Sequence, residues 1–251
     1  MGHFSGLLHI WKKGMRTTVY IDGFNLYYSA LKNSRYKWLD PKALCERVLA
    51  SHNQITKIKY FTAFVSDRAD NTGAVDRQKL YLRALSSHIP QMEIIRGHFS
   101  VHCKVAPIVT PGGELDQKEV SGRGKGLFTW NHRIFKKERK WKEDPGPKLH
   151  VINTEEKGSD VNLAVHMVND GWKNQYDCCC VVSNDSDLAE PLKIVSRELG
   201  KTVGLISTWR QRPVHKLKQY CTFVRTAKEA DFAKTQLPSP IGTKYFKPQT
   251  W

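Results

Sequence analysis

No CxxC pair occurs among the six cysteines of this chain, and three of them, Cys178, Cys179 and Cys180, stand side by side in an apolar run. That spacing suits neither a disulfide framework nor a zinc site. His98, His102 and Cys103 lie close together, but no second ligand pair stands at a convincing spacing. Free thiols fit a reducing compartment, and the expectation is a cytoplasmic protein. Long hydrophobic runs are also missing. The opening "MGHFSGLLHIWKKGM" has an apolar patch too short to span a bilayer, with its lysines after the patch rather than before it, which argues against a secretory leader and a membrane partner. No internal repeat is visible. "SGRGKG" lacks the GxxxxGK[ST] spacing of a phosphate-cradling P-loop and follows no clear strand, which weakens a reading as a hydrolase of small phosphate esters.

Acidic residues are the scarcer charge: 24 Asp and Glu against 40 Lys and Arg, a formal net charge of +16 in 251 residues. A positive excess of this size favours a polyanionic partner, nucleic acid before membrane. The 40% hydrophobic content is ordinary for a globular chain that buries a core.

What is present alternates. Thr17–Ile21 reads as a buried strand that exits at Asp22-Gly23. Residues 24–50 read as mainly helical with a polar break at 33–37, and Asp40-Pro41 as a cap and first helical residue. Further strands are predicted at Ile58–Val65, Met92–Phe99, Leu149–Ile152, Cys178–Val182, Val203–Ile206 and Thr222–Val224. Helices are predicted at Val75–Ser87, from a Ser159 cap to Gly171, and over Asp187–Leu199 before Gly200. Alternation of this kind predicts an α/β fold with a largely parallel sheet. Residues 1–14 read as an extension, residues 15–230 as the domain with a basic insertion at about 103–147, and residues 231–251 as a loosely held tail.

In such a sheet, ligand sites form beyond the carboxyl ends of the strands. Asp22 and Asp185 fall at two of these ends, and Asp160 in the first turn of the helix after a third. Three carboxylates in one crevice call for a hard divalent cation, which takes oxygen ligands, activates water and neutralises a phosphate under attack. Each acid also has a plainer use. Asp22-Gly23 can make a turn, Asp160 favours a helix dipole, and Asp187, three residues before Glu190, matches a capping box. Asp185 has no equally good structural role. Asn25 either caps the first helix or orients a water on the metal.

The blocks "VYIDGFNLYY", "KGSDVNLAVHM" and "VVSNDSDLAEPLK" resemble the NYN domain family, relatives of PIN-domain ribonucleases. The resemblance spans roughly residues 15–224, interrupted by the basic insertion. It implies a PIN-like three-layer α/β/α sandwich with a central, mainly parallel sheet, and metal-dependent cleavage of RNA phosphodiesters. By position it implies Asp22, Asn25, Asp160, Asp185 and Asp187 as site residues, with Asp22, Asp160 and Asp185 holding Mg²⁺ or Mn²⁺. The insertion is not part of the motif pattern. Its Arg123, Lys125, Arg133, Lys136, Lys137, Arg139 and Lys140, with Arg210 and Arg212 downstream, are expected to contact phosphates of RNA, single-stranded or structured. Phe128, Trp130, Phe135 and Trp141 are expected to stack on unpaired bases. Phosphate contacts alone do not separate RNA from DNA, which stays open as a substrate. The alternative is a catalytically silent RNA-binding or regulatory member. Oligomeric state is left open by the sequence.

Overall fold

The computed structural model describes residues 14–65, 72–107, 148–249 and 251. The chain divides into two units, residues 1–98 with 157–251, and residues 99–156. In the first unit, six strands form one sheet in the order β3-β2-β1-β6-β7-β8. They are β1 (Met15–Asp22), β2 (Asn53–Thr62), β3 (Met92–Arg96), β6 (Cys178–Val182), β7 (Thr202–Thr208) and β8 (Phe223–Ala227). Every pairing in it is parallel. The second unit carries a two-stranded sheet of β4 (His98–Pro107) and β5 (Lys148–Lys157). The predicted strand Met92–Phe99 thus divides at Gly97, and the edges of the predicted insertion are strands. Residues 108–147, which hold its arginines, lysines and aromatics from 123 to 142, lie outside the described residues.

Side-chain alternation builds the layers. Val19, Ile21, Ile58, Tyr60, Cys180, Val182 and Ile206 face one core. It is closed by α1 (Gly23–Leu26, continuing as a π-helical turn Tyr27–Leu31), α2 (Pro41–Val48), α3 (Ala74–His88) and α7 (Glu229–Lys234). Tyr20, Phe61, Cys179, Val181, Val203 and Leu205 face the other. That side is closed by α4 (Ser159–Trp172), by α5 (Ala189–Lys193, continuing as a π-helical turn Ile194–Glu198), and by α6 (His215–Lys218). A period-2 pattern that is apolar at both parities requires cover on both faces, and this makes the three-layer α/β/α sandwich. Cys179 and Cys180 are therefore packing residues, one in each core, and Cys178 is buried beside them. Burial pushes the Cys178 thiol up to about 12 and holds those of Cys179 and Cys180 well above the usual thiol range, which removes them from thiolate chemistry at neutral pH.

Several local expectations need correction. The cap of α4 is Gly158, at φ +93°, and Ser159 is the first helical residue. The turn requires a left-handed residue, and glycine is the one that adopts that conformation freely. The closing stretch is not loosely held. Leu237 and Ile241 are buried, Leu237 N–H donates to the Trp38 carbonyl at 2.8 Å, and the Trp38 indole donates to the Pro238 carbonyl at 3.1 Å. The Trp251 ring meets Trp38 and Tyr81 edge-on, with centroids 5.6 Å apart in both cases. By contrast, Asp40 caps α2 with Pro41 in the first turn, as the sequence indicates. Among the described residues no helix is long and apolar enough to cross a membrane.

Candidate active site

The strand order reverses between β1 and β6. β2 and β3 build outward from β1, while β7 and β8 build outward from β6. The connections leave in opposite directions there, so a crevice opens beyond the carboxyl ends of these two strands. Asp22 closes β1 and is 5% exposed. Its Oδ1 accepts the Asn25 N–H at 2.8 Å, capping α1. Its Oδ2 accepts the Ser183 hydroxyl at 3.0 Å, from the residue just past β6. Gly23 lets this corner form, because a Cβ there would stand 2.7 Å from the Phe61 carbonyl oxygen.

Burial pushes the Asp22 carboxyl up to about 7, and the charges of Asp160 and Asp185 push the same way. The Asn25 N–H and the Ser183 hydroxyl act in the opposite sense by favouring the ionised form. Asp160 sits in the first turn of α4. These three acids from three elements therefore bear on one another. Their donor atoms are all oxygens, which suits a hard dication. Among the described residues no three His, Cys, Asp or Glu side chains already stand as a ready cage. Mg²⁺ does not require one, since it takes one or two carboxylates and keeps waters in its other positions. The residues present fit such an ion on that basis.

Of the two aspartates after β6, the capping part that the sequence suggests for Asp187 falls to Asp185. Asp185, not Asp187, is the cap: its Oδ1 accepts the Asp187 N–H at 2.9 Å and opens a 3₁₀ turn over Ser186–Leu188. Asp187 is exposed in that first turn. The capping-box reading with Glu190 gives way to an Asp185 turn because the chain winds two residues earlier and more tightly. Asn25 does not cap α1; Asp22 does. The Asn25 side chain crosses the crevice, and its Oδ1 accepts the Asn184 N–H at 3.2 Å.

Asn184 is a site residue that the sequence pattern alone does not single out. Its Nδ2 donates to the Arg212 carbonyl at 3.0 Å and its Oδ1 accepts the Val214 N–H at 2.9 Å. One amide thereby pins the basic stretch after β7 beside the acids, and Arg210 and Arg212 are exposed on that stretch. An asparagine two residues after a buried strand, able to donate and accept hydrogen bonds, was the available signal.

A second polar cluster is equally hidden in the sequence. Lys59 Nζ lies 2.6 Å from Asp170 Oδ2 and 3.0 Å from His166 Nδ1. The Tyr20 hydroxyl donates to Asp170 at 2.7 Å. Burial and the neighbouring ammonium lower the His166 pKa, so its ring accepts the lysine proton as the neutral form. The signal was a lysine in mid-strand in a sheet covered on both faces, where a charge requires a partner.

The NYN domain model matches residues 112–227, the stretch that carries Asp160, Asp185 and Asp187. A curated relative, 6-hydroxy-3-succinoylpyridine 3-monooxygenase HspA of Pseudomonas putida (strain DSM 28022 / S16), is 30% identical over 260 aligned positions, covering 94% of this chain and 75% of the relative. The chain belongs to the NYN domain family. NYN domains are part of the PIN-like superfamily, and at that level the chain is nuclease-like. The six-stranded parallel sheet between helical layers is consistent with that family. A crystal structure of a protein of unknown function from Vibrio parahaemolyticus RIMD 2210633 is similar at 15% identity and a TM-score of 0.46, over 87% of this chain and 96% of that one.

Proposed function

We propose that this NYN domain protein is a metal-dependent ribonuclease, and that Asp22, Asp160 and Asp185 hold Mg²⁺ or Mn²⁺ in the crevice between β1 and β6. The observation that carries this reading is the state of Asp22: a buried carboxyl, pushed up to about 7 by burial and by two further acids, at the sheet's switch point. Clustered carboxylates of this kind gain most from a cation. A bound dication supplies a water of lowered pKa and neutralises charge on the phosphate. Asp22 holds its place through the Ser183 hydroxyl and the Asn25 N–H. Asp185, the more open of the two, takes the proton from the attacking water. Asn25 and Asn184 lock the β1 and β6 loops together, so the acids keep their spacing. Arg210 and Arg212 attract the RNA backbone.

Purified protein incubated with labelled RNA tests the proposal. Cleavage that needs Mg²⁺ or Mn²⁺, stops with EDTA and is lost in Asp22→Asn and Asp185→Asn supports it. Full activity in those variants, or none in the wild type on varied RNAs, rejects it. RNA binding that EDTA leaves unchanged, without cleavage, would make the chain a silent RNA-binding member.

One observation favours a second reading. The relative that aligns along 94% of this chain is named for oxygenating 6-hydroxy-3-succinoylpyridine. On that reading the crevice takes a small carboxylated pyridine. Turnover of that compound by the purified protein supplied with O₂ and a two-electron reductant, judged by the appearance of a hydroxylated product, decides between the two.

A further inference from the structure

A second concave surface lies apart from the acidic crevice. It is an open cleft of about 560 Å³ on the α1 side, lined by Lys32, Arg35, Lys37 and Arg210 with Tyr36 and Glu229. Four cations face one carboxylate. Glu229 is engaged by the Tyr36 hydroxyl at 3.3 Å, and Arg35 Nε donates to that hydroxyl at 3.3 Å. Lys32, Lys37 and Arg210 make no ion pair with a described residue. Burial, and then the nearby charge of Arg77, lower the Lys37 pKa, as expected where positive charge is crowded.

Two chain segments join this cleft to the acids. The first is α1 with its π-helical turn. It starts at the crevice with Asn25 and delivers Lys32 to the cleft seven residues on, about 10 Å along a helix. The second is the segment after β7. Arg210 lines the cleft, Gln211 borders the crevice beside Asn25 and Ser183, and the Arg212 carbonyl is held by Asn184. Aromatic rings fill the gap along the first segment. Phe24 and Tyr28 are stacked with centroids 6.4 Å apart, and the Lys32 ammonium lies 5.1 Å from the Tyr28 ring centre. Tyr28 is 59% exposed at the surface between the crevice and the cleft. A spacing of about 10 Å matches roughly three stacked nucleotides at ~3.4 Å each.

We infer that this cleft is a phosphate-holding subsite for single-stranded RNA whose bond to be cut lies at the acids, with Tyr28 stacking an intervening base. The inference rests on the nuclease reading of the crevice and adds the path the strand takes away from it. An unpaired strand is required, because a base within a duplex has no free face for Tyr28. The cations grip the backbone and carry no sequence preference.

The test is binding of a short fluorescent oligouridylate to the full chain in EDTA, followed by anisotropy across a salt series. Lys32→Gln with Lys37→Gln should weaken binding and reduce the slope of log K against log salt by about 1.4, or ~0.7 for each phosphate that is no longer neutralised. Tyr28→Ala should weaken binding about fivefold or more and leave the slope unchanged. Lys201→Gln, at the opposite end of β7, should change neither. Circular dichroism of each variant separates lost binding from lost folding. An unchanged slope in the double variant overturns the inference. So does an equal loss in Lys201→Gln, or a Tyr28 dependence that is the same for duplex RNA. The assay needs no turnover: a shifted slope without any cleavage rejects the proposed reaction and keeps the subsite.

Discussion

Asp22 and Asp170 are buried alike, at 5% and 4% exposure, yet they sit in opposite electrostatic settings. Asp170 has an ammonium at 2.6 Å and a tyrosine hydroxyl at 2.7 Å. Asp22 has an N–H and a hydroxyl, and the fields of two more carboxylates. The first is neutralised within the fold, set between β1, β2 and α4, where water does not reach. The second is left incomplete at a strand end that opens to solvent. A buried carboxylate without a cation among the described residues destabilises the fold, and such a cost persists where the site has a task.

Four measurements break or sharpen this contrast. The largest effect is expected at the completed pair. Asp170→Ala leaves Lys59 buried without its partner and should lower the unfolding free energy by about 3–5 kcal/mol in denaturant titrations. Adding Lys59→Met should restore much of that, because the cost lies in the stranded charge. Asp22→Asn should reduce metal-dependent cleavage by about a hundredfold or more, since loss of groups that only support metal ligands costs roughly 10–100-fold.

The same Asp22→Asn change should stabilise the protein, in a window fixed by its pKa. A folded-state pKa raised from 3.8 to about 7 means that the folded chain holds this proton more tightly than the unfolded one. Stability from that proton is full below about pH 4 and is lost as pH rises through 7. The variant should therefore match the wild type near pH 4 and exceed it by up to about 4 kcal/mol above pH 7, since each tenfold difference in proton affinity between the two states is worth ~1.4 kcal/mol. Calorimetry at the two pH values checks the sign. Saturating Mn²⁺ should narrow that gap at neutral pH, adding about 2.7 kcal/mol to the wild type at a hundred times its Kd and nothing to the variant. The smallest effect is expected at the clasp. Asn184→Ala loses two side-chain bonds to the 212–214 loop and should cost about 1–2 kcal/mol, with a higher KM for RNA and little change in metal affinity.

The parts legible in sequence were those written in local pattern. The β-branched and apolar run of β1, the Asp40-Pro41 start of α2 and the five apolar residues of β6 each carry their own evidence within a few positions. The parallel sheet followed from their alternation. What escaped depends on which strands become neighbours. Asn184 matters because β7 lies beside β6, so that residues 212–214 return to it. Lys59 matters because β1 and α4 bring Tyr20 and Asp170 to it. The tail's packing depends on a gap beside Trp38 that only the folded core creates. The shift of the cap from Asp187 to Asp185 has a local cause instead: a capping-box spacing is present, and a tighter turn displaces it.

The hydrogen bond from Ser183 to Asp22 joins residues 161 positions apart, and β1 takes β6 as its second neighbour only after everything between them has been made. On the ribosome, the first half of the chain can assemble β1 beside β2 and β3, leaving one side of β1 unpaired. During that interval Asp22 faces no opposing loop, and the crevice does not exist. The assembly of the site is thus tied to the order of synthesis: an incomplete or truncated product carries the first acid and lacks the enclosure around it. The same arrangement leaves a bare strand edge for the longest part of translation, which makes the nascent chain, more than the finished protein, the form that requires protection from aggregation.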